Sequence, residues 1–153
     1  MAEHSSERRD YVAVRSFKSG EGPWSHTVGM TDRGLPELLV SGVGADLGRA
    51  ILLNAARDVF DRSGVTDGEL SDRIADRSVM FRSLPVERAG RFALEAANRD
   101  PAQFQALQVV WPDVEGLFPW VPGCDPEVAR SQSMFVELEA PQPAYTPRTP
   151  YGG

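Results

Sequence analysis

Hydrophobic and polar positions first fall into a strand rhythm at His26, Val28 and Met30, which alternate with Ser25, Thr27 and Gly29. A period of two residues predicts a half-buried strand. Thr31-Asp32-Arg33-Gly34 is a turn-type cluster with a glycine available for positive φ, and Pro36 to Ser41 reads as the returning strand of a hairpin. Before it, Tyr11 to Phe17 reads as an edge strand, and the polar stretch Ser16 to Pro23, with its glycines and proline, reads as loosely ordered.

The rhythm then changes to that of a helix from about Asp46 to Ser63. Asp46 is placed to cap it and Gly64 to end it. Leu52, Leu53, Ala56, Val59 and Phe60 share one helical face, and burying each large member is worth on the order of 1.5–3 kcal/mol, so this helix is expected to anchor the core. Glu69 to Ala75 fits no single pattern, whereas Ser78 to Leu84, bounded by Pro85, predicts a strand. A second helix is predicted over Val86 to Arg99. Its inward face is small (Val86, Ala89, Gly90, Ala93, Ala96, Ala97), with Phe92 and Leu94 supplying bulk at the margins.

Phe104 to Trp111 predicts a strand with Leu107, Val109 and Trp111 on one face and Ala106, Gln108 and Val110 on the other. Pro112-Asp113 breaks it, and Gly116 permits a turn before Leu117 to Trp120. Asp125-Pro126-Glu127 has the form of a helix start, and Ser133 to Leu138 fits either a helix or an extended segment. The fold class is therefore α+β, an antiparallel or mixed sheet with two main helices packed on one face. Residues 1–23 are expected to form a flexible or partly ordered arm, 24–139 a single α+β domain, and 140–153 a disordered proline-rich tail.

Two segments carry identifying detail: Trp24-Ser25-His26-Thr27-Val28-Gly29-Met30 running into Gly34-Leu35-Pro36-Glu37-Leu38-Leu39-Val40, and Leu107-Gln108-Val109-Val110-Trp111-Pro112-Asp113 running into Phe118-Pro119-Trp120. Over roughly Trp24 to Gly123 the chain resembles the bacterial family known as domain of unknown function 4262. His26 stands where a tyrosine is typical of that family, and Met30 where leucine is typical. The resemblance implies no activity.

A length of 153 residues suits one core. A formal net charge of −6 argues against nucleic acid and anionic membrane as partners, because phosphate binding needs clustered cations. The first twenty residues lack the apolar core of a signal peptide, and no segment approaches the ~18 apolar residues of a membrane span. With one cysteine, Cys124, no intrachain disulfide forms, and a cytoplasmic location is expected. Fifteen of the sixteen basic residues are arginine, a composition of high-GC, actinobacterial type.

The candidate chemistry is sparse. His26 shares the face of Val28 and Met30, and the other histidine, His4, lies in the arm, so neither a Ser-His-Asp set nor a zinc site of Cys and His ligands is available, and no cofactor is expected. Glu37, set before Leu38-Leu39-Val40, needs a hydrogen-bonding partner if it points inward. Paired with Asp113, and with His26 nearby, it would suit a hydrolase-type pocket or a divalent cation. Gln108, Trp111 and Trp120 have the composition of a shallow ligand-binding wall or, equally, of a core-closing turn. The glycines of Gly42 to Gly48 depart from both phosphate-loop patterns. The terminal Gly152-Gly153 matches the ending of ubiquitin-like carriers, although the rest of the chain does not resemble them. The leading expectation is a non-catalytic binding or interaction module for an unidentified protein or small molecule, with a small hydrolase as the competing class and a di-glycine carrier as the third.

Overall fold

The computed structural model describes residues 12–142. Readings that fall on His4, Tyr11, most of the proline-rich tail and Gly152-Gly153 lie outside them. Six strands form one mixed sheet: β1 (Ala13–Ser19), β2 (Gly22–Val28), β3 (Glu37–Ser41), β4 (Leu70–Ser71), β5 (Val79–Leu84) and β6 (Ala106–Val110). Their spatial order is β1-β2-β3-β6-β5-β4. All neighbours run antiparallel except β3 and β6, which are parallel with Glu37 opposite Ala106 and Leu39 opposite Gln108. The α+β class holds.

Ser16 to Pro23, expected to be loosely ordered, instead supplies both arms of the first hairpin. Ala13 faces Val28 and Ser19 faces Gly22, with only Gly20-Glu21 between the strands. The expected hairpin of β2 and β3 is present, closed by a short 3-10 turn at Thr31–Arg33 and ended by Gly34 at φ 74°. Only glycine adopts that backbone region freely.

Helix α1 spans Ala45–Arg62. Gly44 occupies the N-cap position without a side-chain bond, so Asp46 lies in the first turn and is not the cap. At the other end, Ser63 takes the left-handed conformation (φ 62°) and Gly64 donates to the Val59 carbonyl at 2.9 Å. Ile51, Leu52, Ala55, Ala56 and Val59 are buried; Leu53 and Phe60 are half-buried, which rotates the stripe by about one residue from the predicted one. Phe60 sits at the margin beneath the Arg33 guanidinium, 4.6 Å from its ring centre.

The second predicted helix is two, α2 (Val86–Phe92) and α3 (Leu94–Arg99), broken at Ala93 with ψ 58°. The small face survives: Ala89, Ala93 and Ala96 are fully buried. Leu94, expected to add bulk, is 59% exposed, while Phe92 turns edge-on to Trp24 and Phe135. A last helix, α4 (Pro126–Ser131), starts as its sequence signals, with the Asp125 carboxylate accepting from the Glu127 N–H at 2.9 Å.

The two helical layers do not share a face. Leu38, Val40, Leu107, Val109 and Phe81 pack with α1, whereas the alternate residues Leu39, Ala106 and Leu84 pack with the alanines of α2 and α3. Successive strand residues point to opposite sides, so the sheet is covered on both. The placement of both helices on one face is corrected accordingly. Two covered faces explain why β3 and β6 are buried at every position.

Candidate functional site

The first motif builds an anion cradle, and the chain fills it itself. Glu37 is fully buried at the start of β3. Its carboxylate accepts hydrogen bonds from the backbone N–H groups of Gly29, Met30 and Thr31 at 3.4, 3.2 and 3.0 Å, and from the hydroxyls of Thr27 and Thr31, both at 2.7 Å. Successive backbone N–H groups of this kind form a nest that favours negative charge. Thr27 closes the arrangement by accepting from the Leu38 N–H at 2.8 Å. Every donor is directed at Glu37, so the carboxylate has its lone pairs engaged in holding β2 to β3.

His26 is also fully buried and stacks on Phe17, with ring centres 5.7 Å apart. Its Nδ1 lies 2.9 Å from the Thr27 carbonyl, an oxygen that only accepts; Nδ1 therefore donates, and in the neutral ring Nε2 is an acceptor. Burial pushes the imidazole below its ordinary pKa of 6.5 and Arg15 adds to that, while the Thr27 carbonyl, Glu37 and Glu95 oppose it. Arg15, the cross-strand partner of His26, forms an ion pair with Glu95 at 2.7 Å.

The second motif ties β6 to the segment after α4. Gln108, fully buried, donates from Nε2 to the Gln132 carbonyl at 2.9 Å. Gln132, also fully buried, accepts from the Trp111 N–H at 2.9 Å and donates to the Trp111 carbonyl at 2.7 Å, extending the backbone ladder past the end of the strand. Trp111 donates its indole N–H to Ser41 at 3.0 Å. Asp113, 5% exposed, organises the loop by accepting from the N–H groups of Glu115 and Leu117, both at 2.9 Å, and of Asp125 at 3.0 Å. The Leu117 N–H above all, then that of Asp125, holds its carboxyl below the usual range; burial works against them, and Glu115 and Arg77 assist.

Trp111 and Trp120 do not make one wall. Trp111 packs against the α1 side, whereas Trp120 stacks on Phe118 at 5.3 Å with the Arg82 guanidinium over its ring. Arg82 is the cross-strand partner of Gln108, and both lie on the sheet face opposite Trp111. Glu37 and Asp113 are likewise apart: Glu37 is level with the first residue of β6 and Asp113 follows its last, roughly 20 Å at ~3.3 Å per residue. His26, Glu37 and Asp113 therefore do not surround one pocket. Among the described residues, no three His, Cys, Asp or Glu side chains are grouped to hold a metal ion, and no helix is long and apolar enough to cross a membrane. The Cys124 thiol is pushed up by burial, then by Asp113 and Asp125, which disfavours the reactive thiolate.

Gly42 in the β3–α1 connection and Gly48 in the first turn of α1 serve close approach. A Cβ on Gly42 would meet Ser131 at 2.7–2.9 Å, and one on Gly48 would meet the Ser25 hydroxyl at 2.8 Å. Beside this connection lies an apolar cleft of about 190 Å³ lined by Val43, Leu47, Ile51, Val79, Trp111 and Pro112, with Asp76 and Arg77 at its rim. Leu47 is 55% exposed at its lip. Sequence reading singled out Trp111 but missed Leu47, Thr27, Thr31 and Gln132. The two threonines had a legible signal, since a carboxylate inside an apolar strand demands nearby donors; Gln132 had none, because its partners are set by how α4 docks.

No curated protein sequence and no solved structure matches the chain. The family model described as Domain of unknown function (DUF4262) matches residues 7–125, extending the resemblance toward the N-terminus to include all of β1. With the match spanning more than half of its length, the chain belongs to the DUF4262 family.

Proposed function

We propose that the protein is a non-catalytic interaction module that docks a protein segment by one apolar anchor side chain in the Trp111 cleft. The observation that carries this reading is the cleft's size and lining. At about 190 Å³ it is smaller than the ~300–1,000 Å³ of small-ligand pockets, yet larger than the ~150 Å³ cavity that holds a benzene ring. A phenylalanine or leucine side chain fits that range. Asp76 and Arg77 stand together at the rim, and Arg77 also acts on the Asp113 carboxylate, so the apolar lining, and not a net charge, selects the anchor.

Support also comes from the carboxylates, since Glu37 and Asp113 are each engaged by backbone N–H groups and neither is free to act as a general base. The lone cysteine and the arginine-rich composition suit a bacterial cytoplasmic setting. The test is a titration with acetyl-phenylalaninamide, read by amide NMR shifts at Leu47 and Val79 and by Trp111 fluorescence. Binding is expected at millimolar strength, to vanish in Leu47→Asp, and to do so without a change in melting temperature, because Leu47 is mostly exposed. No shift at about 10 mM peptide, or the same shift in Leu47→Asp, would overturn the proposal.

A further inference from the structure

A larger cleft, of about 430 Å³, opens at the far end of the β5–β6 pair, roughly 16 Å along the strands from the Trp111 cleft. Its floor is aliphatic: Pro36 with the nearly fully buried Leu84, Ala106 and Leu107. Its polar members are Thr66, Asp67, Ser83 and Gln105. Asp67 uses one carboxylate oxygen to accept from the Arg82 guanidinium and the Ser83 N–H, both at 2.8 Å. Its second oxygen accepts nothing from the described residues, and the Ser83 hydroxyl and Gln105 carboxamide are equally unengaged among them.

We infer that this cleft binds a neutral small molecule with an aliphatic frame and adjacent hydroxyl groups. Its volume falls within the ~300–1,000 Å³ range of small-molecule sites, and an apolar floor with a few converging polar groups is their usual composition. Charge selects the ligand further. Against burial, which works to raise it, the Arg82 guanidinium and the Ser83 N–H hold the Asp67 carboxyl below the usual range, and the Asp67–Arg82 pair is neutral overall, so neither an anion nor a cation gains much. Among the described residues no aromatic ring lines the cleft, so they offer no stacking surface for a planar heterocycle. Hydroxyls match what remains: they donate to the free Asp67 oxygen and both donate to and accept from Ser83 and Gln105. This site is separate from the Trp111 cleft and does not depend on its role.

Three probes of one frame test the inference on the full chain: trans-cyclohexane-1,2-diol, cyclohexylammonium and cyclohexanecarboxylate, each titrated against amide NMR shifts of Asp67, Ser83 and Gln105. The diol is expected to bind at millimolar strength and the two charged probes at least about tenfold more weakly. Asp67→Ala should weaken the diol at least about tenfold. Because Asp67 also anchors Arg82 and the Ser83 backbone, Gln105→Ala is the companion variant. Gln105 is exposed and makes no side-chain bond to the described residues, and its loss should weaken the diol about threefold without altering the fold. A diol that causes no shifts, equal binding of the three probes, preference for either charged probe, or unchanged diol affinity in both variants overturns the inference.

Discussion

At the residue scale, the most consequential group is Glu37, a carboxylate inside the sheet whose five donors come from the end of β2 and the turn that follows it. Replacing an oxygen by an amide places a donor among donors, so Glu37→Gln is expected to cost about 2–3 kcal/mol, read as a lower urea midpoint with an unchanged slope. His26 makes stability depend on pH in a definite direction. Its folded pKa is lowered mainly by burial, so near 6.5 the unfolded chain takes up the proton that the folded chain refuses. The stability it supports is complete above 6.5 and falls as pH drops through the lowered value. His26→Phe keeps a ring against Phe17 and should shrink the difference in unfolding free energy between about pH 7.5 and about pH 5. An undiminished difference would assign the pH dependence to other groups.

Among the elements, the loop from Trp111 to Asp125 has no regular secondary structure and is held by short backbone turns and, at its centre, by the Asp113 side chain. Asp113 gathers three N–H groups that would otherwise need partners. Asp113→Ala is expected to speed hydrogen exchange at Glu115, Leu117 and Asp125 while leaving the amides of β6 protected. Acid should do the same to the native protein. A carboxyl with a lowered folded pKa stabilises the loop above its ordinary pKa, and that contribution disappears as pH falls through the folded value. Helices were legible at this scale where caps and periodicity agreed, as at Asp125-Pro126. The break at Ala93 was not, because alanine is a strong helix former and only the packing of Phe92 against Trp24 and Phe135 accompanies the change of direction.

For the whole molecule, the decisive feature is a sheet covered on both faces, with α1 on one and α2 and α3 on the other. Adjacent residues of β3 consequently serve different cores. Leu38→Ala and Leu39→Ala should each cost about 2–5 kcal/mol in chemical denaturation, since both side chains are fully buried. A sheet with helices on one face alone would make one of the two substitutions cheap. The same architecture separates the clefts to opposite ends of β5 and β6, and it separates Trp111 from Trp120 although the sequence presents them as one aromatic cluster.

The sequence by itself determined the local elements and the family. The alternation around His26 to Met30, the turn at Gly34, the helical face of Leu52, Ala56 and Val59, and the small face of Ala89, Ala93 and Ala96 all follow from periods of two or 3.6 residues, which neighbouring positions report directly. Tertiary structure alone decided which groups meet. Glu37 finds its nest across a turn of the same hairpin, and this was half legible; the link from Gln108 to Gln132, the parallel pairing of β3 with β6, and the distance between Glu37 and Asp113 depend on contacts between segments far apart in the chain. Such contacts leave no period along the chain, because they are set by how finished elements pack rather than by the spacing of residues within them.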